Sequence, residues 1–170
     1  LGDSGAIVGA LDGIDLVIHT AAVLDGDPAA YYRVNVDGTE RLARAAAASA
    51  ERFIHISSNA VYGFPRDDVS EDDGPNPTGQ AYSRSKSRGE AAVRSIGAET
   101  GMEFSIIRPA AIFGPGAEYF TGAYMRRALK RPIIFIGRGG GALAVVFVDD
   151  VADLSIVAAT HPAAAGEAFN

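Results

Sequence analysis

The sequence predicts an α/β protein in which a parallel sheet is covered by helices on both faces. Three short apolar runs, "IDLVIH" from Ile14, "RFIHIS" from Arg52 and "EFSIIRP" from Glu103, alternate with longer segments of helical pattern. Short runs rich in β-branched residues are typical of buried strands. Strands that alternate with helices pair in parallel through right-handed crossovers. Ligands of such sheets bind at the carboxyl ends of the strands, and here those ends are followed by small and polar residues.

The first long helix has a clear beginning. Asp27 is suited to the N-cap and Pro28 to the first helical position, and we expect the helix to continue through Ala50. Gly38 weakens its middle, because glycine is a poor helix former. A polar loop rich in Asp, Gly and Pro is expected over 59–78.

The second half of the chain predicts three more helices. The first should extend from Gly79 to about Glu99, in a segment without proline. The second is expected from about Tyr119 to Leu129. A short strand, "VVFV", should follow, and a third helix should start at Asp149 and Asp150.

Composition excludes several classes of function. The 170 residues have the size of one domain, and the net charge of −6 gives no basic stripe for nucleic acid. There is no cysteine, and His19, His55 and His161 lack the spacing of metal ligands. We expect His19 and His55 to be packed strand residues. No apolar run approaches the roughly 20 residues of a membrane span, so the expectation is a cytoplasmic protein without a metal, nucleic-acid or membrane partner.

The stretch "AYSRSKSRGE" contains a candidate acid–base pair. Tyr82 and Lys86 are four residues apart, which places both side chains on one face of a helix. A nearby ammonium favours the phenolate form of a tyrosine. With six tyrosines and two lysines, chance produces this spacing in roughly 7% of such chains, so the context has to support it. Ser57 and Ser58 end the preceding strand, where a hydroxyl could meet the phenol over one ligand atom.

Six segments together resemble a known family. "HTAA", "NVDGT", "ISSNAVYG", "YSRSK", "RPAAIFGPG" and "VFVDDVAD" are similar, in order and spacing, to the extended short-chain dehydrogenase/reductases. That family includes nucleotide-sugar epimerases, 3β-hydroxysteroid dehydrogenases and dihydroflavonol reductases. The resemblance implies a Rossmann-like sheet lacking the first βαβ unit, with part of a small substrate-binding region. Residues 1–113 would be the later part of the dinucleotide-binding domain, 114–148 a partial substrate-binding segment, and 149–170 a helix and strand start that return to the first domain.

The resemblance implies roles for three catalytic residues. Tyr82 would be the general acid and base, and Lys86 would bind the nicotinamide ribose and lower the pKa of the tyrosine. Ser58 would donate a hydrogen bond to the substrate oxygen. The alternative for Ser58 is a hydroxyl that only caps the strand end, and the alternative for the pair is an exposed helical couple without a role.

The resemblance also implies NAD or NADP as the cofactor. Asp3 would lie beside the adenine, although it could equally be a loop acid. Small residues after the first strand would let the dinucleotide approach the sheet, Pro109 and Ile112 would flank the nicotinamide, and a helix asparagine would hold neighbouring loops. The complete set of expected cofactor positions is Asp3, Thr20, Ala21, Ala22, Asn35, Ser57, Tyr82, Lys86, Pro109 and Ile112.

Two further segments remain open. "GRGGG", at Gly137–Gly141, looks like a phosphate loop, but no helix follows it at once, which favours a flexible loop. A group of arginines could meet a diphosphate or be solvated; its members are Arg126, Arg127, Arg131 and Arg138.

One family motif is absent from the chain. The Gly-x-x-Gly-x-x-Gly turn that receives the pyrophosphate is not present, so the choice between NAD and NADP is open. Because the family's first strand lies in the middle of its sheet, the strand Ile14–His19 should be an apolar edge. We therefore expect that the chain, which begins at Leu1, belongs to a longer polypeptide or that another chain covers this edge. The final "GEAFN" resembles the start of the last core strand.

The resulting hypothesis is an NAD(P)-dependent oxidoreductase or epimerase acting on a secondary alcohol or ketone. Its small-molecule substrate would be a nucleotide sugar or resemble a steroid or flavonoid. The segment "SKSRGE" slightly favours the steroid and flavonoid reductases of the family. Asn59 and Ala60 stand where the family's 4,6-dehydratases have an acidic pair, which disfavours dehydration. The alternatives are a non-catalytic NAD(P) sensor and an inactive fragment. A homodimer is the assembly left open.

Overall fold

The computed structural model describes residues 1–63, 69–130 and 143–170. The strands in these ranges are β1 Leu16–His19, β2 Arg52–Ile56, β3 Glu103–Ile107, β4 Ala111–Phe113, β5 Val145–Phe147 and β6 Ala168–Phe169. The α-helices are α1 Ser4–Ala10, α2 Pro28–Tyr31, α3 Thr39–Ala46, α4 Ala81–Thr100, α5 Ala123–Ala128 and α6 Val148–Thr160. Short 3₁₀ and π-helical segments are Tyr32–Gly38, Asn59–Tyr62, Glu71–Asp73, Glu118–Gly122 and Pro162–Ala164.

The main sheet has four parallel strands in the order β1-β2-β3-β6. This confirms the prediction of an α/β protein with a parallel sheet. β4 and β5 form a separate two-stranded parallel sheet. Both sheets are built from strands whose connections contain helices, as parallel pairing requires.

Alternating side chains of β2 enter two cores, one on each face of the sheet. Phe53 packs with α1, α3 and α4, in a cluster that includes Ala43, Val93 and Ile96. Ile54 points to the other face and packs against α6. Since successive strand residues point to opposite faces, one strand supplies both cores, and helices cover both faces as predicted.

The helix that follows Asp27 contains a wide turn. Asp27 caps α2 through its carboxylate, which accepts a hydrogen bond from the Ala30 amide at 2.7 Å. Residues Tyr32–Gly38 are π-helical, and the chain then continues into α3. The prediction of one helix through Ala50 is therefore wrong in two respects: α3 ends at Ala46, and the middle is not α-helical.

α4 agrees closely with its prediction. It begins at Ala81 because Gln80 is extended, and it ends at Thr100, before Gly101, whose φ of 78° is left-handed. Gly89 lies inside α4, against Asn35 of the π-helical segment. A Cβ at this position would lie 2.7 Å from the Asn35 carbonyl oxygen. The absence of a side chain at Gly89 thus allows the two helices to touch through their backbones.

Two elements were missed by the sequence analysis. α1 is short, and four of its seven residues are glycine or alanine, which give no periodic signal, and β4 has only three residues. The predicted helix starting at Asp149 begins one residue earlier, at Val148. "GRGGG", Arg131 and Arg138 lie outside the described residues.

β1 is an edge strand of the four-stranded sheet. Its Val17 packs into the core under α3, whereas Leu16 and Ile18 point to the opposite face and are 39% and 42% exposed. An apolar edge was expected for this strand. None of the helices in the three described ranges combines the length and the apolar character that a membrane span requires.

Candidate active site

The carboxyl ends of β1, β2 and β3 bring the predicted segments to one edge of the sheet. Beyond β2, the Ser57 amide donates to the Ile107 carbonyl at 2.6 Å, and the Asn59 amide donates to the Pro109 carbonyl at 3.0 Å. The strand pairing therefore extends past the ends of β2 and β3. Ser57, Ser58 and Pro109 are held together by these backbone bonds.

Lys86 is buried at this edge, with 2% of its surface exposed. Its Nζ donates a hydrogen bond of 2.7 Å to the carbonyl of Ile56, the last residue of β2. Burial lowers the pKa of Lys86 from 10.5 to about 8, while the negative charge of Glu90 acts in the opposite direction. The lysine is thus a desolvated ammonium fixed to the end of a strand.

Tyr82 lies one helical turn before Lys86, in the first turn of α4. It is half-buried, and its ring meets the ring of Tyr31 edge-to-face, with 6.0 Å between the centroids. Such an arrangement is favourable and restricts the orientation of both rings. The prediction that this segment is helical is confirmed, and the role of the pair stays a prediction.

The two serines after β2 differ in their surroundings. The Ser58 Oγ accepts a hydrogen bond from the Ala60 amide at 3.2 Å and caps the 3₁₀ turn Asn59–Tyr62. A hydroxyl that accepts in this way retains its proton for donation to another group. The Ser57 Oγ is buried and has no hydrogen-bond partner within the described part of the chain.

Asn35 joins the loop after β1 to α4. Its Oδ1 accepts from the Val23 amide at 2.8 Å, and its Nδ2 donates to the Val23 carbonyl at 3.1 Å and to the Ser85 Oγ at 3.0 Å. The Ser85 hydroxyl in turn donates to the Tyr82 carbonyl at 2.7 Å. The loop that carries Thr20, Ala21 and Ala22 is therefore connected to the turn of α4 that carries Tyr82.

The remaining predicted positions are more distant in the network. Asp3 is exposed, and its carboxylate caps α1 by accepting from the amides of Gly5 and Ala6 at 2.9 and 3.1 Å. Ile112 belongs to the small sheet, opposite Val146 on β5.

His19 and His55 are buried strand residues, as expected. His19 shares a hydrogen bond of 2.9 Å with the Thr39 hydroxyl, and burial lowers its pKa to about 4. Burial, and then the positive charge of Lys86, hold the pKa of His55 well below its usual value. Both imidazoles are consequently neutral at pH 7 and add no charge to the surroundings of Lys86.

Sequence reasoning missed a buried ion pair beside Lys86. The Arg108 guanidinium binds Glu90 through two hydrogen bonds, Nε to Oε1 at 3.0 Å and Nη2 to Oε2 at 2.9 Å. A signal was present, because Tyr82, Lys86 and Glu90 recur at intervals of four residues on one face of α4. No group of three or more acidic or histidine side chains within the described ranges is placed to hold a metal ion.

A model of the NAD dependent epimerase/dehydratase family matches residues 1–170. The chain belongs to this family. The resemblance inferred from the six motifs is thereby confirmed. The description of the family names NAD as the cofactor, and one similar protein is a UDP-glucose 4-epimerase.

Two curated relatives represent two branches of the family. The UDP-glucose 4-epimerase of Vibrio cholerae is 33% identical over 173 residues, which cover 91% of this chain and 50% of the relative. The 3β-hydroxysteroid dehydrogenase/Δ5→4-isomerase of Mycobacterium tuberculosis is 30% identical over 173 residues, covering 94% of this chain and 47% of the relative. The chain spans about half the length of both proteins.

Solved structures of the family share this fold. The UDP-glucuronic acid 4-epimerase of Bacillus cereus, in complex with UDP-glucuronic acid and NAD, superposes with a TM-score of 0.84 at 26% identity, covering 96% of this chain and 55% of that one. A double mutant of the dTDP-glucose 4,6-dehydratase of Streptomyces venezuelae gives the same TM-score and identity, covering 98% and 54%. The Rossmann-like fold of this family is thus present in the chain.

Proposed function

We propose that the protein is an NAD(P)-dependent oxidoreductase or epimerase that acts on a secondary alcohol or ketone. The observation that carries the proposal is the buried ammonium of Lys86, fixed at the carboxyl edge of the sheet one helical turn from Tyr82. Isolated charges are costly to bury, so a desolvated lysine in a ligand crevice is typical of a functional site.

Tyr82 is proposed to exchange the proton of the substrate oxygen at its Oη. Oxidation of an alcohol removes a hydride from carbon and a proton from oxygen, and the phenolate is the base that takes this proton. The positive charge of Lys86 stabilises the phenolate. Because the pKa of Lys86 is about 8, most of the lysine is charged at pH 7.

Ser58 is proposed to orient the substrate. Its Oγ receives the Ala60 amide and keeps its own proton, which can be donated to the substrate oxygen. A donor aimed at an oxygen that gains negative charge stabilises the transition state. Capping and substrate binding are therefore compatible roles for one hydroxyl.

The residues at the sheet edge fit a dinucleotide. The Ser57 hydroxyl is a buried polar group without a hydrogen-bond partner among the described residues, and Thr20, Ala21 and Ala22 present only small side chains beyond β1. When bound, the nicotinamide would accept or give the hydride. Asn35, through its bonds to Val23 and Ser85, would hold the loop on which the dinucleotide lies.

The test is Tyr82→Phe in the complete protein. We expect two activities to be lost: oxidation of hydroxysteroids, assayed by the absorbance of NADH or NADPH, and epimerisation of UDP-sugars, assayed by chromatography of the products because it forms no net NADH. Dinucleotide affinity measured by calorimetry should change little. Tyr31→Phe is the matched control, because it removes the hydroxyl of the neighbouring ring and leaves the edge-to-face contact. Undiminished turnover in Tyr82→Phe would reject the assignment. Dinucleotide binding without any turnover in the unmodified protein would favour the sensor.

A further inference from the structure

Glu90 and Arg108 form an ion pair in the interior, with both side chains 1% exposed. The guanidinium has further contacts. Besides its two bonds to Glu90, its Nη1 donates to the Tyr62 Oη at 2.5 Å, and the guanidinium lies 5.0 Å from the centre of the Tyr62 ring. The Tyr62 hydroxyl donates to the Asn170 Oδ1 at 2.8 Å. Arg108 thus bridges α4 and the 3₁₀ turn after β2.

Glu90 is one helical turn beyond Lys86, on the same face of α4. Lysine and glutamate at this spacing attract each other, and the attraction is stronger in a dry interior than at a surface. A buried carboxylate without a partner would therefore take the Lys86 ammonium. Both of its oxygens are instead occupied by Arg108.

The Lys86 ammonium points in the other direction along α4. Helical side chains lean towards the N-terminus, and the Nζ of Lys86 binds the Ile56 carbonyl at the carboxyl end of β2. Tyr82 occupies the turn of α4 on that side. The Lys86 ammonium therefore has two competing acceptors: the Ile56 carbonyl near Tyr82 and the carboxylate of Glu90.

The other charged and titratable groups around Lys86 do not decide this choice. From the sheet, His19 and His55 face it and are neutral at pH 7. Tyr62 is bound to Arg108, and Tyr31 contacts the ring of Tyr82 and donates a hydrogen bond to the Leu24 carbonyl. The charged side chains of the π-helical segment and α3 are exposed or half-buried and are screened by solvent; they are Arg33, Asp37, Glu40, Arg41 and Arg44.

We propose that Arg108 is a positioning residue for Lys86: by binding both oxygens of Glu90, it withholds this carboxylate and leaves the ammonium on the Ile56 carbonyl, available to Tyr82. The inference rests on the proposed function, because it gives Arg108 a part in the same proton transfer. The buried group of Lys86, Glu90 and Arg108 carries a net charge of +1, which a Tyr82 phenolate would balance.

The test follows the titration of Lys86 by NMR with ¹³Cε-labelled lysine in the complete protein. The signal is assigned by its loss in Lys86→Arg, and Lys130, which is exposed, serves as the internal reference. In Arg108→Met, Glu90 is released and the pKa of Lys86 should rise. In Glu90→Gln, the unpaired guanidinium should lower it. The double variant, Glu90→Gln with Arg108→Met, should return it close to the original value.

Turnover supplies a second readout. When the ammonium is drawn towards Glu90, the Tyr82 phenolate loses its stabilising charge. The kcat of Arg108→Met for alcohol oxidation at pH 7 should therefore fall roughly tenfold, with the midpoint of its pH profile displaced upward by about one unit. KM should change less. The double variant should recover most of kcat, whereas a purely structural pair would leave the double variant as impaired as either single one.

Three outcomes would overturn the proposal: an unchanged Lys86 titration in Arg108→Met, shifts of the same sign in both single variants, or a double variant whose Lys86 pKa stays displaced. If Arg108→Met does not fold, Arg108→Lys keeps the charge and loses the two-pronged bond, and a smaller upward shift is expected. An unchanged titration in folded Arg108→Lys, with a displaced double variant, would equally overturn it. The titration is independent of catalysis, so an inactive protein that shows the three shifts rejects the proposed function alone.

Discussion

Replacing Lys86 with methionine should stabilise the protein near neutral pH while abolishing its proposed chemistry. Methionine has a similar length and no charge, so it can occupy the same buried space. In the native state the pKa of Lys86 is lowered to about 8, whereas the unfolded chain keeps the usual value of 10.5. The unfolded state therefore holds the proton more tightly than the folded state does.

The size of the effect follows from this difference. About 2.5 units, at about 1.4 kcal/mol each, correspond to roughly 3 kcal/mol of destabilisation from the buried charge at pH 7. The substitution also removes the hydrogen bond to the Ile56 carbonyl, which costs about 1–2 kcal/mol. We expect a net gain of about 1–2 kcal/mol in the free energy of unfolding.

The gain should depend on pH with a defined sign. As pH rises from about 8 to 10.5, the folded protein has released the proton and the unfolded chain still holds it, so the original protein gains stability and the advantage of the variant disappears. Above this window the variant should be the less stable of the two. Urea unfolding at pH 7, 8, 9 and 10 measures this, with Lys130→Met as the exposed control. A variant less stable at pH 7, or a difference that does not vary with pH, would refute the reasoning.

Two other substitutions test the contact between α4 and the π-helical segment. Gly89→Ala should destabilise the fold by about 1–3 kcal/mol, because its Cβ would lie 2.7 Å from the Asn35 carbonyl, whereas Gly9→Ala, with open space around it, should be neutral or slightly stabilising in thermal unfolding. Ser85→Ala should raise the KM for dinucleotide several-fold with little change in kcat, because Asn35 loses its connection to α4. Ser83→Ala, on the same buried helix, is the control, and equal effects of the two serine variants would contradict this interpretation.

The elements that the sequence predicted well are those with a strong local signal. β2 and β3 are apolar runs bounded by polar residues, and the segment of α4 is long and free of proline. The start of α2 was predictable from Asp27 and Pro28, because an N-cap and a first-turn proline interact only with neighbouring backbone groups.

Other features depend on contacts between distant parts of the chain. The π-helical turn is stabilised by the packing of Asn35 against Gly89 and Ser85, about 50 residues away. No local sequence pattern predicts it. The hydrogen-bond partner of the Lys86 ammonium was also not predictable from the sequence. The sequence spacing predicts that Lys86 lies near a phenol, whereas in the structure its ammonium binds the Ile56 carbonyl. The carboxylate of Glu90, which could compete for the ammonium, is bound by Arg108 beyond the end of β3.

The wide turn over Tyr32–Gly38 makes the segment sensitive to length more than to composition. An ordinary α-helix advances about 100° per residue, so deleting one residue there would rewind the segment and swing Asn35 away from Val23 on one side or from Ser85 on the other. Substitutions on its exposed face should be tolerated, whereas insertions and deletions should not. In relatives, the amino acids of this segment should vary, whereas its number of residues should stay the same.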